Sequence, residues 1–123
     1  MNIVICDDEK YIVNKVFQIV DDYLYETGLD YDIYTYASGD EAIESGVSFD
    51  IAFLDPPYGK KLIQRSLPAL VGVMSENGII VCEHEKECRL PEEEGDFRIH
   101  KTYKYGQICL TVYKRNEVET EDE

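Results

Sequence analysis

Positive charge is scarce in this chain: 12 Lys and Arg face 26 Asp and Glu, a net charge of −14. Affinity for nucleic acid is built from Lys and Arg on phosphates, so the composition predicts no nucleic-acid partner. Also missing is any run near the roughly 20 apolar residues of a membrane helix. The opening residues 1–10 lack the basic-then-apolar layout of a signal peptide, so a cytoplasmic protein without membrane contact is expected. In that compartment Cys6, Cys82, Cys88 and Cys109 stay reduced. Neither Arg nor Pro occurs before residue 55. Residues 1–54 hold 12 acids against Lys10 and Lys15 alone, whereas residues 55–123 hold 14 acids, 10 bases and every Pro. There are no internal repeats.

Hydrophobic periodicity supplies the elements. Asn2 to Cys6 is a short β-branched strand ending in Asp7-Asp8-Glu9. Ile12, Val13, Val16, Phe17, Ile19, Val20, Tyr23 and Leu24 then recur at helical spacing up to Gly28. Tyr31 to Tyr36 is a second strand, and Ser38-Gly39-Asp40-Glu41 has capping-box spacing for a short helix. Ile51 to Leu54 is a third strand, which delivers Asp55 to the carboxyl edge of a parallel sheet, where open α/β folds keep their chemistry. A helix from Leu62 to Val71 must be kinked or broken by Pro68. Glu76-Asn77-Gly78 reads as a turn, Ile79 to Glu83 as a fourth strand, and Glu92-Glu93-Glu94 as a solvated loop. Phe97 to Tyr103 and Ile108 to Tyr113 read as a terminal hairpin. Residues 1–115 are expected to be one domain, with 116–123 an acidic disordered tail.

Asp55 belongs to two patterns. Asp7, Asp8 and Asp55 end adjacent strands, and clustered carboxylates invite a hard cation such as Mg²⁺. With IVICDDE, ASGDEAI and FDIAFLD, residues 1–55 resemble the amino-terminal part of a response-regulator receiver domain of the LytTR-associated type. The resemblance implies that Asp7 and Asp8 bind Mg²⁺, that Asp55 accepts phosphate, and that the Pro57 carbonyl is a further ligand. The pattern then departs from that family. Strand four ends in Cys82-Glu83 where a receiver has Ser or Thr, and Lys104 imitates the receiver lysine only from one strand further away.

Read forward, Asp55-Pro56-Pro57-Tyr58 matches the motif of methyltransferases acting on exocyclic amino groups. Asp55 and the Pro56 carbonyl would accept the amine protons, and Tyr58 would stack on the base. The stretch from Leu54 to Glu87, with YKYGQICLTVYKR, resembles the carboxy-terminal half of the RsmD-like family of ribosomal RNA guanine-N2 methyltransferases. In that family S-adenosylmethionine rests on a glycine-rich turn after strand one, with an acid after strand two on the ribose. Cys6-Asp7-Asp8-Glu9 holds no glycine, which argues against the cofactor and against methyl transfer.

The two resemblances meet at Asp55. The chain therefore reads as a chimera, engineered from a receiver half (1–55) and a methyltransferase half (56–115), that is not itself an enzyme. The expected architecture is a three-layer α/β/α sandwich, a flavodoxin-like and Rossmann-like hybrid. Its sheet would be mostly parallel, of order 2-1-3-4-6-5, with an antiparallel last strand. Two readings stay open beside it: a phosphorelay module using Asp55, and an S-adenosylmethionine-dependent enzyme. Cys82, His84 and Cys88 fit no common zinc spacing. His100 reads as a surface residue, and Tyr31, Tyr34 and Tyr36 as half-buried strand packing.

Overall fold

The computed structural model describes residues 1–7, 9–54 and 60–116, with the backbone alone for 60–65. The elements run β1 (Asn2–Cys6), α1 (Lys10–Thr27), β2 (Asp32–Tyr36), α2 (Gly39–Glu44), β3 (Phe49–Leu54), α3 (Lys60–Val71), β4 (Met74–Glu85), β5 (Glu93–Glu94), β6 (Phe97–Tyr105) and β7 (Ile108–Arg115). All seven strands form one sheet of order β2-β1-β3-β4-β7-β6-β5.

This corrects the expected six-strand, mostly parallel sheet. The β1–β2, β1–β3 and β3–β4 pairs are parallel, but β4–β7, β6–β7 and β5–β6 are antiparallel. The seventh strand comes from the glutamate run: Glu93 and Glu94 pair with Arg98 and Phe97, supplying an edge where sequence polarity suggested only a loop. Glu76-Asn77-Gly78 is likewise inside β4, because the strand bulges between the Phe49–Met74 and Ile51–Ile79 pairs. A Cβ at Gly78 would lie 3.0 Å from Met74 Cβ and 3.1 Å from the Ser75 carbonyl, so the bulge is tight around glycine. Pro68 does not break α3, which continues to Val71. It sits in the last turn, where few further helical bonds depend on it.

Packing is unequal on the two faces. Val4, Cys6, Ala52, Leu54, Ile80, Cys82 and Tyr113 point to one side, where Ala42, Phe49, Leu67 and Leu70 complete a closed core under α2 and α3. The two helices approach closely at Gly39, whose added Cβ would lie 3.1 Å from the Ser66 carbonyl. Ser38 Oγ accepts the Glu41 N–H at the start of α2, while Glu41 reaches back to the Ala37 N–H. On the other face α1 buries Ile3 and Ile5, but Ile51, Phe53, Ile79, Val81, Leu110 and Val112 are only half-buried. Gly28 ends α1 in the left-handed conformation.

Polar ties fasten the margins of the sheet. Tyr31 donates to Asp21 Oδ1 across 2.6 Å, and Tyr34 packs edge-on against Phe49. Arg115 stacks on Phe97, pairs with Asp96, and donates to the carbonyls of Met74, Ser75 and Glu76. Among the described residues no helix is long and apolar enough to cross a membrane. Asn116 donates to the Asp96 carbonyl; the acidic residues 117–123 lie outside the described residues.

Candidate active site at the carboxyl edge of the sheet

The parallel strands β1, β2 and β3 all end at one edge. Parallel pairing puts Cys6 level with Tyr36 and Leu54, and Leu54 level with Cys82. Asp7 extends the β1–β2 ladder by donating its N–H to the Tyr36 carbonyl at 3.1 Å. Its Oδ1 accepts the Glu9 N–H at 2.9 Å, which turns the chain into α1, and the residue is 3% exposed. Beside it opens a cavity of about 330 Å³ lined by Asp7, Lys10, Asn14, Thr35, Tyr36 and Glu41, with Val13 and Ala37. That volume is at the lower end of small-ligand sites. An apolar cleft of about 50 Å³ adjoins Asp7 on the sheet's open face, between Val16, Phe53, Val81 and Leu110.

Of the residues singled out in the sequence, Asp7 is at this edge, while Asp8, Asp55, Pro56, Pro57 and Tyr58 lie outside the described residues. Among the described residues no group of three or more His, Cys, Asp or Glu could hold a metal ion. Cys82 is buried, and its thiol is pushed up to about 12 by burial and then by Cys88. Cys6 is likewise raised to about 12, first by burial and then by the Glu41 charge. Lys104 is on β6, three strands from β3, and pairs in register with Cys109. His100 is exposed at a β-bulge between Ile99 and Lys101.

One polar chain escaped sequence reading. His84 Nδ1 is 2.9 Å from the Glu85 carbonyl, which only accepts, so Nδ1 carries the proton. His84 Nε2 is 2.6 Å from Thr111 Oγ1, and Thr102 Oγ1 lies 3.1 Å from Thr111 Oγ1. These residues are up to 27 positions apart and are joined only by the β4–β7–β6 pairing, so no local signal reveals them.

Comparison with known proteins decides between the two patterns at Asp55. The family model described as "Conserved hypothetical protein 95" matches residues 11–114, without a break at residue 55. The chain belongs to this family. It is 35% identical over 65 residues to the putative rRNA methyltransferase YlbH of Bacillus subtilis, covering 51% of this chain and 35% of that protein. It is 27% identical over 74 residues to ribosomal RNA small subunit methyltransferase D of Escherichia coli strain K12, covering 58% of this chain and 37% of that protein. The matched stretch is thus little more than a third of either relative. A solved structure of a conserved hypothetical protein from Streptococcus pyogenes superposes with a TM-score of 0.63 at 30% identity, covering 92% of this chain and 71% of that one.

The match overturns the chimera, because one family spans both sides of the supposed junction. With it go the receiver reading of residues 1–55 and the expected Mg²⁺; Asp8 and Asp55, to which that reading gave metal and phosphate roles beside Asp7, lie outside the described residues. The physical reason for the misreading is shared architecture. Any parallel β-α-β-α-β unit with acids at its carboxyl edge reproduces the receiver spacing. The expectations of no enzyme, no S-adenosylmethionine and no nucleic acid are corrected as well, since both curated relatives are named as rRNA methyltransferases. Net charge does not by itself exclude a nucleic-acid partner, because it averages over the surface, whereas contact with phosphate depends on a local patch.

Proposed function

We propose that this chain carries the substrate-side machinery of an S-adenosylmethionine-dependent methyltransferase acting on a guanine exocyclic amine of ribosomal RNA, and works in the cytoplasm. The observation that carries the reading is the single family match across Asp55-Pro56-Pro57-Tyr58, a segment that directly follows the central strand β3. The amine needs acceptors for its protons and an aromatic face for its base. Asp55 and the Pro56 carbonyl take the first role and Tyr58 the second.

The residues beside β1 and β2 fit the nucleoside part of the cofactor. Its hydroxyls and amine call for acceptors, which Asp7, Glu41 and Thr35 provide around the 330 Å³ cavity, and Tyr36 adds an aromatic wall. Two carboxylates also favour a ligand with a sulfonium and an ammonium charge. The missing glycine turn concerns only the carboxylate end of the cofactor, and the acids that oppose that end suit the rest of it. When bound, the cofactor supplies an electrophilic methyl group; Asp7 would hold the hydroxyls and Asp55 would orient the amine.

Equilibrium dialysis of the whole chain against radiolabelled S-adenosylmethionine tests the cofactor half of the reading. Saturable binding that Asp7→Asn weakens at least tenfold is expected, since a hydrogen bond to a charged group contributes about 1.5–3 kcal/mol. No saturable binding by the unmodified chain refutes it. Transfer of the label to small-subunit rRNA, abolished by Asp55→Asn, tests the chemistry.

A further inference from the structure

The net charge of −14 conceals a strongly basic element. Residues 97–115, the β6–β7 hairpin, contain no Asp or Glu but five cations: Arg98, Lys101, Lys104, Lys114 and Arg115. Arg115 is spent on Asp96 and on carbonyls of β4, and Lys104 faces the same side as Cys109. The other three gather on the opposite face through a specific device. β6 pairs Ile99 with Tyr113 and then Lys101 with Val112, so His100 is an extra residue in the ladder. In a regular strand Arg98 and Lys101, three apart, would point to opposite faces. The bulge at His100 turns Lys101 to the side of Arg98, and turns Tyr103 and Tyr105 with it.

The resulting stripe is exposed and ordered by chemistry. Arg98 and Lys114 are directly opposite each other, a like-charge arrangement that is unfavourable without an anion between them. Glu93 is in register with Arg98, but among the described residues the one ion pair is Arg115–Asp96. Next comes Lys101, its Nζ 4.9 Å from the Tyr103 ring centroid. Tyr103 and Tyr105 follow, 39% and 62% exposed, with Leu110 half-buried opposite Tyr103. At a rise of about 3.3 Å per residue, the stripe from Arg98 to Tyr105 is roughly 23 Å long. Its aromatic end is also at the carboxyl edge: Tyr103 is level with Leu110, Leu110 with Glu83, and Glu83 is one residue past the Cys82–Leu54 pair. Three strand spacings, about 14 Å, separate that end from β3.

We propose that this face of the β6–β7 hairpin is the surface on which single-stranded RNA docks, Arg98, Lys101 and Lys114 holding phosphates and Tyr103 and Tyr105 stacking on bases beside the one that enters the site. The inference rests on the RNA-methyltransferase reading and adds the surface that receives the substrate. Cations followed by exposed aromatics on a strand match what a single strand offers, a line of phosphates and bases free to stack.

Fluorescence anisotropy with a labelled single-stranded RNA of mixed sequence, across a range of salt concentrations, tests it in the whole chain. Arg98→Gln with Lys101→Gln should lower affinity about 25-fold at 0.1 M salt and reduce the salt slope by about 1.4, the counterion release of two contacts. Tyr103→Ala with Tyr105→Ala should weaken binding at least tenfold while leaving the slope unchanged. All four side chains are exposed, so melting temperature should not move in either variant. Unmodified protein that ignores RNA overturns both this surface and the RNA substrate. Binding that survives in both variants overturns the hairpin surface and leaves the function proposal intact. An acidic peptide bound as tightly as the RNA overturns the proposal in favour of a protein-docking surface.

Discussion

Asp50 joins three strands at the amino end of the sheet. Its Oδ2 accepts the Asn2 N–H at 2.8 Å, tying β3 to the start of β1, and its Oδ1 accepts the Ser75 hydroxyl at 2.8 Å, tying β3 to the bulge of β4. Asp50→Ala removes both bonds and leaves the Asn2 N–H without its acceptor. Charge-assisted bonds contribute about 1.5–3 kcal/mol each, but this carboxylate is only half-buried, so the lower end applies and the pair loses about 2–3 kcal/mol. For a chain of 123 residues, 1 kcal/mol moves the melting point by about 3–5 °C, so a fall of roughly 6–15 °C is expected at pH 7. The effect should also depend on pH. The Asn2 N–H first, and then the Ser75 hydroxyl, hold the Asp50 carboxyl below its usual range. A carboxylate lowered on folding contributes fully above its unfolded pKa, about 3.9, and loses that contribution as pH falls through the folded value. The gap between unmodified and Asp50→Ala protein should therefore be full at pH 7 and narrow once pH drops below about 4. Calorimetric melts from pH 7 to pH 3 measure it. A gap below 2 °C at pH 7, or one that persists undiminished at pH 3, refutes the reasoning.

Two further perturbations follow from the core. Tyr113 is fully buried and its hydroxyl donates to the Pro91 carbonyl at 2.6 Å, so Tyr113→Phe should cost about 1–2 kcal/mol in a urea unfolding curve without changing the slope. Burial of Cys6 and Cys82, with both thiols raised to about 12, and burial of Cys109 leave Cys88 as the accessible thiol. Mass spectrometry after brief alkylation at pH 8 should find one modified cysteine in native protein and four in denaturant. Rapid labelling of Cys82 in the native state would contradict the packing.

The recurrent weakness of sequence reading here was the choice between two families that share local grammar. IVICDDE and FDIAFLD correctly announce strands ending in acids, yet both receivers and methyltransferases are parallel α/β folds with acids at the carboxyl edge. Asp7 was legible as a carboxylate at the end of the first strand, and the cavity beside it was not, because Thr35, Tyr36 and Glu41 reach it from elements more than 25 residues away. The hairpin cations were visible as letters, and the absence of any acid from 97 to 115 was the signal that could have found them. Their common face depends on a bulge at His100 that strand alternation does not predict.

Local pattern determined most of the element order by itself: the helical repeat ending at Gly28, the capping box at Ser38, the apolar run into Asp55 and the terminal hairpin. These depend on backbone preferences and on spacings of two or 3.6 residues, which the chain carries within each segment. Pairing across the sheet decided the rest. It recruited Glu93–Glu94 as an edge strand, absorbed Glu76-Asn77-Gly78 into β4, linked His84 to Thr111, and assembled three cations and two tyrosines on one face. Such features join residues distant in the chain, and their energy exists only once the register between strands is set.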